Sequence, residues 1–460
     1  MSVETTSGRR LFGAAARWPK LPPWGRDPST LFVAATRVVG RLRSSAPRPC
    51  KGRRGSATRA PMRRMFLIRP RAFAVRRPRL ATRDAKPWPA QCTARARRLV
   101  ERMKHLGNTP RFRGLQSEVV PGSIAEVNYL RLGGLEQWVM MRGESLTNPP
   151  LILLHGGPGM SEMRFFRHFN APLEKSFTIV NWDQRGAGKS FDRKIPRSSM
   201  TVEQFIADLD ELVDAVCKRV EQSKVTIFGP SWGSALGMLY AARFPERVSA
   251  YVGSGQIGDW PASEASSYAF VLAEAQRLHD RKALKKLRAI GPPPHTAGRL
   301  WTERTCLQHF DGQLGPRALW NMGRIVLGRP ESSIFDLPNL LRGFRFSLDA
   351  MWADVSRLNL LELAPAFQMP IFFFLGRRDH WVPPETSVAY FDALTAPSKK
   401  LVWFEESGHE PFVDEPAKFH AAMEELVRPV VAADLPRVPA ASSSGSQSAL
   451  PRDVVSGVSQ

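Results

Sequence analysis

Ser231 stands in the pentapeptide Gly229-Pro230-Ser231-Trp232-Gly233, between the apolar run KVTIF and the helix-forming stretch SALGMLYAARF. A serine hydroxyl is a weak nucleophile at neutral pH and needs a base within reach. Two later stretches supply partners of the right chemical type. IFFFLGRRDHWVP places Asp379 just past one apolar run, and LVWFEESGHEPF places His409 just past the next. An imidazole, with an unperturbed pKa of about 6.5, can take the serine proton and return it to a leaving group. A carboxylate on its other nitrogen holds the tautomer and stabilises the imidazolium. Further upstream, LLHGGPG ends another apolar run in a glycine-rich loop. An amide of such a loop, together with the amide after the nucleophile, can cradle an oxyanion. Gly157 and Trp232 are the residues assigned to that task. The combination predicts acyl transfer to water through a Ser231 acyl-enzyme, with no metal and no cofactor. Asp259 is the rival acid, and His155 is read as shaping its loop rather than moving protons.

Such a constellation works only if strands end where these residues begin. VNYLRL (127–132), Gly133-Gly134 and EQWVMM (136–141) read as a hairpin. PLILLH, FTIVNWD, KVTIFG, VSAYVGSG, IFFFLG and KLVWFE are near-continuous apolar runs, the pattern of strands buried on both faces of a parallel sheet. Between them, TVEQFIADLDELVDAVCKRV opens with Thr201 and carries Gln204 three residues later, a capping-box signal. Its residues Phe205, Leu209, Leu212, Val213 and Val216 fall on one helical face. Gly233 and Gly237 would let the helix after the serine lie close to the sheet. More than a hundred residues separate VSAYVGSG from IFFFLG, too many for a structureless loop. They are read as a helical lid over about 258–365.

The charge is segregated. The chain of 460 residues has 66 Lys+Arg against 42 Asp+Glu, a formal net charge of +24. Residues 1–113 hold 29 of the basic and only 4 of the acidic residues, so the rest of the chain is close to neutral. That segment is rich in Arg, Pro and Ala without helix or strand period, and is read as disordered or as a mis-assigned extension upstream of an internal start at Met65 or Met103. Three functional readings compete. Arg9-Arg10 and Arg63-Arg64 are twin-arginine pairs whose following apolar stretches are broken by further basic residues. An organelle transit peptide fits the composition but not the length. A nucleic-acid-binding arm fits the charge, yet no recognition motif accompanies it. Residues 431–460 are read as a disordered tail, and 114–430 as the folded body. Cys50, Cys92, Cys217 and Cys306 form no metal or redox motif, which suggests reduced thiols and a cytoplasmic protein. No apolar run approaches the ~20 residues of a membrane span. A small molecule or short peptide is the expected partner, and no specific nucleic acid.

HGGPG, DQRGAGKS (183–190), GPSWGS, GRRD and SGHE together resemble, in order and spacing, the proline iminopeptidases of the α/β-hydrolase superfamily, over about residues 115–430. The resemblance implies an α/β-hydrolase fold: a mostly parallel eight-stranded sheet with helices on both faces and an inserted helical lid. It places the nucleophile on Ser231, the acid on Asp379 and the base on His409, and makes Asp183 and Arg185 an architectural pair near the site's edge. It implies an aminopeptidase or amidase, with an esterase or lactonase as the alternative in the same fold. In that family lid carboxylates bind the substrate's free amino group. Here the lid opens with YVGSGQIGDWPASEASSYAF instead of an RGIF-like stretch, and Glu264 is the candidate for substrate binding. A nucleic-acid-binding protein acting through its basic arm is the alternative from another class.

Overall fold

Successive side chains along the inner strands point to opposite faces, and both faces are covered, which explains the unbroken apolar runs. Ile152 and Leu154, Val225 and Ile227, and Ile371, Phe373 and Leu375 enter one core. Their neighbours Leu151 and Leu153, Phe228, and Phe372 and Phe374 enter the other. The protein is seen in a computed structural model that describes residues 122–311, 325 and 336–433. The basic segment 1–113, with its arginine pairs, Cys50 and Cys92, lies outside the described residues, as does the chain beyond Ala433.

The strands are β1 (Ile124–Leu132), β2 (Leu135–Gly143), β3 (Pro150–Leu154), β4 (Thr178–Trp182), β5 (Val225–Pro230), β6 (Val248–Ser254), β7 (Ile371–Gly376) and β8 (Lys399–Phe404). They form one sheet in the order β1-β2-β4-β3-β5-β6-β7-β8. β2 is antiparallel to β1 and to β4, and every later pairing is parallel. The β1–β2 hairpin turns on Gly133 (φ +51°) and Gly134 (φ +78°), the two positive φ values a tight two-residue turn requires.

The first core is closed by α2 (Val202–Val220) and α3 (Trp232–Arg243), and the second by α1 (Met163–Asn170) and the C-terminal helices. Thr201 caps α2 by accepting from the Gln204 amide at 3.2 Å. The Gln204 side chain does not complete the capping box, because it is drawn instead to Asp208 at 2.9 Å. Between β6 and β7 the chain leaves the sheet for α4 (Trp260–Arg277), α5 (Arg281–Ile290), α6 (Ala297–Asp311) and α7 (Leu337–Val355). The first three share a core of their own, built on Val271, Leu287 and Leu307. α7 packs Leu348, Met351 and Val355 into the main core. Past β7 come α8 (Pro384–Ala393) and, after β8, α9 (Pro416–Ala422). Among the described residues no helix is long and apolar enough to cross a membrane.

Candidate active site

The turn from β5 into α3 is too tight for any side chain at either glycine of the motif. A Cβ on Gly229 would sit 2.4 Å from the Gly233 carbonyl oxygen, and one on Gly233 would sit 1.7 Å from the Leu154 oxygen. Ser231 itself takes φ +52° and ψ −122°, a conformation that L residues with side chains rarely adopt. Such a backbone costs on the order of 1–3 kcal/mol and persists only where its surroundings impose it. Here the Ser231 amide donates to the Ser254 carbonyl at 2.9 Å, and the Ser231 carbonyl accepts from the Ser234 amide at 2.8 Å. The hydroxyl-bearing residue is thereby fixed at the mouth of α3, partly exposed, while Trp232 behind it is fully buried.

Asp379 and His409 come together at the ends of β7 and β8. His409 Nδ1 lies 2.8 Å from Asp379 Oδ2. The other carboxylate oxygen accepts from the Trp381 and Val382 amides, both at 2.9 Å, so the 2 % exposed side chain is aimed by its own loop. Burial opposes charge on the His409 imidazole, but the field and hydrogen bond of Asp379 outweigh it and hold the pKa above the ordinary value. The ring also lies over Gly255 (φ +50°), where a Cβ would be 2.6 Å from Cε1. Gly255 follows Ser254, the residue whose carbonyl holds the Ser231 amide, so the end of β6 touches both the Ser231 turn and the His409 imidazole. The rival Asp259 does other work: its Oδ1 caps α4 through the Ala262 amide at 3.0 Å.

The HGGPG loop packs against this turn. A Cβ on Gly156 would be 3.2 Å from Ser231 Cβ and 2.9 Å from Glu162 Oε1. The Gly156 amide is already taken, donating to Glu162 Oε1 at 3.0 Å. His155 accepts from the Gln184 amide at Nε2 (3.0 Å), which leaves Nδ1 as the donor to the Gly156 carbonyl (2.9 Å). Burial pushes this imidazole's pKa down, and both nitrogens are spent on backbone, so His155 shapes the loop. Gln184 also accepts from the Trp232 indole at 3.0 Å. Asp183 and Arg185 do not pair with each other. Asp183 holds Ser161 and the Lys189 amide, while Arg185 grips Asp208 through two bonds of 2.8 Å.

Glu264, on the first turns of α4, is 4 % exposed and ion-paired with Arg304 of α6. Arg304 also holds Glu303 at 2.9 Å. Burial raises the Glu264 carboxyl above its ordinary pKa, although Arg304 pulls the other way. Its Oε2 is buried without a hydrogen bond among the described residues. The Arg304 guanidinium in turn sits 5.6 Å over the Trp381 ring, and Trp381 stacks on His409 at 5.7 Å and 17°.

A family model described as the alpha/beta hydrolase fold matches residues 149–285. The probable aminopeptidase YbaC of Bacillus subtilis (strain 168) is 31% identical over 308 residues, spanning 65% of this chain and 94% of that protein. The chain belongs to the α/β hydrolases. This hydrolase is also similar to a proline iminopeptidase of Heyndrickxia coagulans, at 24% identity over 291 residues, 61% of this chain and 91% of that one. Its fold matches the crystal structure of a proline iminopeptidase from Mycobacterium smegmatis with a TM-score of 0.50 at 20% identity, over 67% of this chain and 99% of that chain.

Four residues around the Asp379–His409 pair and the HGGPG loop escape a sequence reading: Glu162, Arg304, Trp381 and Glu410, the neighbour of His409 whose charge helps to raise the imidazole's pKa. Glu162 and Glu410 adjoin quoted motifs, in HGGPGMSE and SGHE, and Trp381 lies two residues past Asp379. Charge next to a motif in an otherwise apolar setting was the available signal for the two glutamates. Arg304 had none, because nothing in its local sequence places it beside Trp381.

Proposed function

We propose that this enzyme is a serine hydrolase of the aminopeptidase type, cleaving the amide that follows an amino-acyl residue with a free amino group. The observation that carries the reading is the 2.8 Å contact between Asp379 and His409, whose ring lies over Gly255, the residue after the Ser254 carbonyl that holds the amide of the positive-φ Ser231. In the proposed reaction His409 Nε2 takes the Ser231 proton as Oγ attacks the acyl carbon. The oxyanion is received by the amides of Gly157 and Trp232; the latter is the first amide of α3, where helix geometry supplies no acceptor. His409 then protonates the leaving amine, and a water activated by the same imidazole releases the acid and restores Ser231. Asp379 keeps the proton of the neutral ring on Nδ1 and stabilises the imidazolium in both halves.

The aminopeptidase reading draws on the relatives and on the lid. Glu264 and Glu303 share one guanidinium, and the Glu264 Oε2 has no hydrogen-bond donor among the described residues. A substrate ammonium supplies the donor that a buried carboxylate oxygen needs. The test is a comparison of amino-acyl p-nitroanilides with their N-acetylated forms on the purified enzyme. Hydrolysis confined to the free amines supports the proposal. Equal rates on both would remove the ammonium site and leave an esterase or general amidase.

A further inference from the structure

The two residues that follow Asp379 are both engaged by the lid. His380 stacks on Phe270 of α4, with ring centroids 3.6 Å apart and planes 8° from parallel. Trp381 belongs to the loop after β7, yet it packs on the lid's own core of Val271, Leu287 and Leu307. Arg304 of α6 lies 5.6 Å over the indole, within reach of a cation–π attraction, and its Nη2 donates to the Trp381 carbonyl at 3.4 Å. The Ser263 and Thr386 hydroxyls, 2.8 Å apart, fasten α4 to the start of α8 just beyond.

The same tryptophan reaches Asp379 and His409. Its amide donates to Asp379 Oδ1 at 2.9 Å. Its ring stacks on the imidazole, with centroids 5.7 Å apart and planes 17° from parallel, inside the range at which aromatic rings attract each other. Asp379 fixes Nδ1 of that imidazole at 2.8 Å, but one hydrogen bond leaves a ring free to tilt about it. Gly255 bounds the ring near Cε1. The indole adds a flat boundary, which restrains the plane of the imidazole as a hydrogen bond cannot.

We propose that Trp381 is the positioning residue for His409: its ring holds the imidazole in the plane in which Nε2 serves Ser231, and the lid, through Arg304 and the core around Leu287, holds the indole in place. The proposal rests on His409 being the base for Ser231. Trp381 takes no proton and forms no bond in the reaction; it acts through His409. What the task requires of it is a flat face and not merely apolar volume. The lid therefore contributes to the rate of attack as well as to the choice of substrate.

The experiment measures covalent labelling of Ser231 by a fluorophosphonate in the full-length protein, with the maximal rate and the reagent's half-saturation read separately. Trp381→Leu keeps apolar volume for the lid core and removes the flat face, whereas Trp381→Phe keeps a flat ring. Trp381→Leu is expected to lower the maximal rate about 10- to 100-fold, the scale of a misaligned catalytic group, with half-saturation unmoved. Trp381→Phe is expected to recover most of that loss. In a His409→Ala background, Trp381→Leu is expected to change the slow residual rate by less than about twofold, because the indole has nothing left to position. A loss confined to half-saturation would make Trp381 a wall of the substrate pocket and overturn the proposal. Equal losses in the Leu and Phe variants, or an undiminished effect of Trp381→Leu without His409, would overturn it too. Should Trp381→Leu not fold, Trp381→Met takes its place in the comparison. Failure of the parent enzyme to label at all would refute the nucleophile itself, and this proposal with it.

Discussion

The His409 ring rests on Gly255: a Cβ there would lie 2.6 Å from Cε1 and 2.8 Å from Nδ1. The imidazole therefore owes its place to a missing side chain just past β6 as much as to Asp379. Gly255→Ala adds one methyl group at φ +50° and must push the ring out of its place beside Asp379. Displacements of about 1 Å in a catalytic group cost roughly 10²-fold. Turnover should drop by about that factor, with the circular-dichroism spectrum unchanged. Full activity in the alanine variant would show that the ring has another resting place.

Asp379→Asn should lower kcat by about 10⁴-fold, as expected when the imidazole is no longer held in the useful tautomer. The same change has a signature in pH. Asp379 is what lifts the His409 pKa against its burial, and attack needs the neutral ring. The rise of kcat/KM with pH should therefore occur above the ordinary 6.5 in the parent, and at lower pH in the residual activity of the variant. A rise that moves upward would contradict the assignment. If Asp259→Asn produced the large loss instead, the acid would be misplaced.

Arg185 and Asp208 form a buried two-bond ion pair, and Gln137 adds a third bond to Asp208 at 2.7 Å. Asp208→Ala leaves a guanidinium stranded at 2 % exposure. Breaking such a pair costs about 3–5 kcal/mol. A urea titration should show the midpoint fall accordingly, and a loss under about 1 kcal/mol would mean that water reaches the site.

Glu264→Gln should lower kcat/KM for amino-acyl amides about tenfold or more, equivalent to roughly 1.4 kcal/mol, while an uncharged ester is hydrolysed nearly as before. The comparison separates an ammonium site from a purely structural link through Arg304. Equal losses on both substrates would assign Glu264 to holding the lid alone.

The strands were legible because burial on both faces writes itself as apolar runs, and the serine turn because Gly229 and Gly233 are required by contacts of 2.4 and 1.7 Å. The meeting of Asp379 with His409 could be read from strand ends, since parallel neighbours place successive loops side by side. Pairings made across the fold could not be read in the same way. Arg185 lies two residues from Asp183 yet bonds Asp208 on α2, because the helix brings a carboxylate to it from another layer. Arg304 reaches Trp381 only once the lid is folded, and Asn170 meets the Phe412 carbonyl only through the packing of α1 on the segment after His409. Proximity in sequence carried the first kind of contact, and tertiary packing alone carried the second.

The central claim is that Ser231 is the nucleophile. The most direct measurement is mass spectrometry of the peptide containing Ser231 after exposure of the folded protein to a fluorophosphonate. The account predicts a single adduct on Ser231, absent from Ser231→Ala and much slower to form in His409→Ala, while both variants keep the parent's melting temperature to within a few degrees. An adduct on another residue, or undiminished labelling of Ser231→Ala, would contradict it.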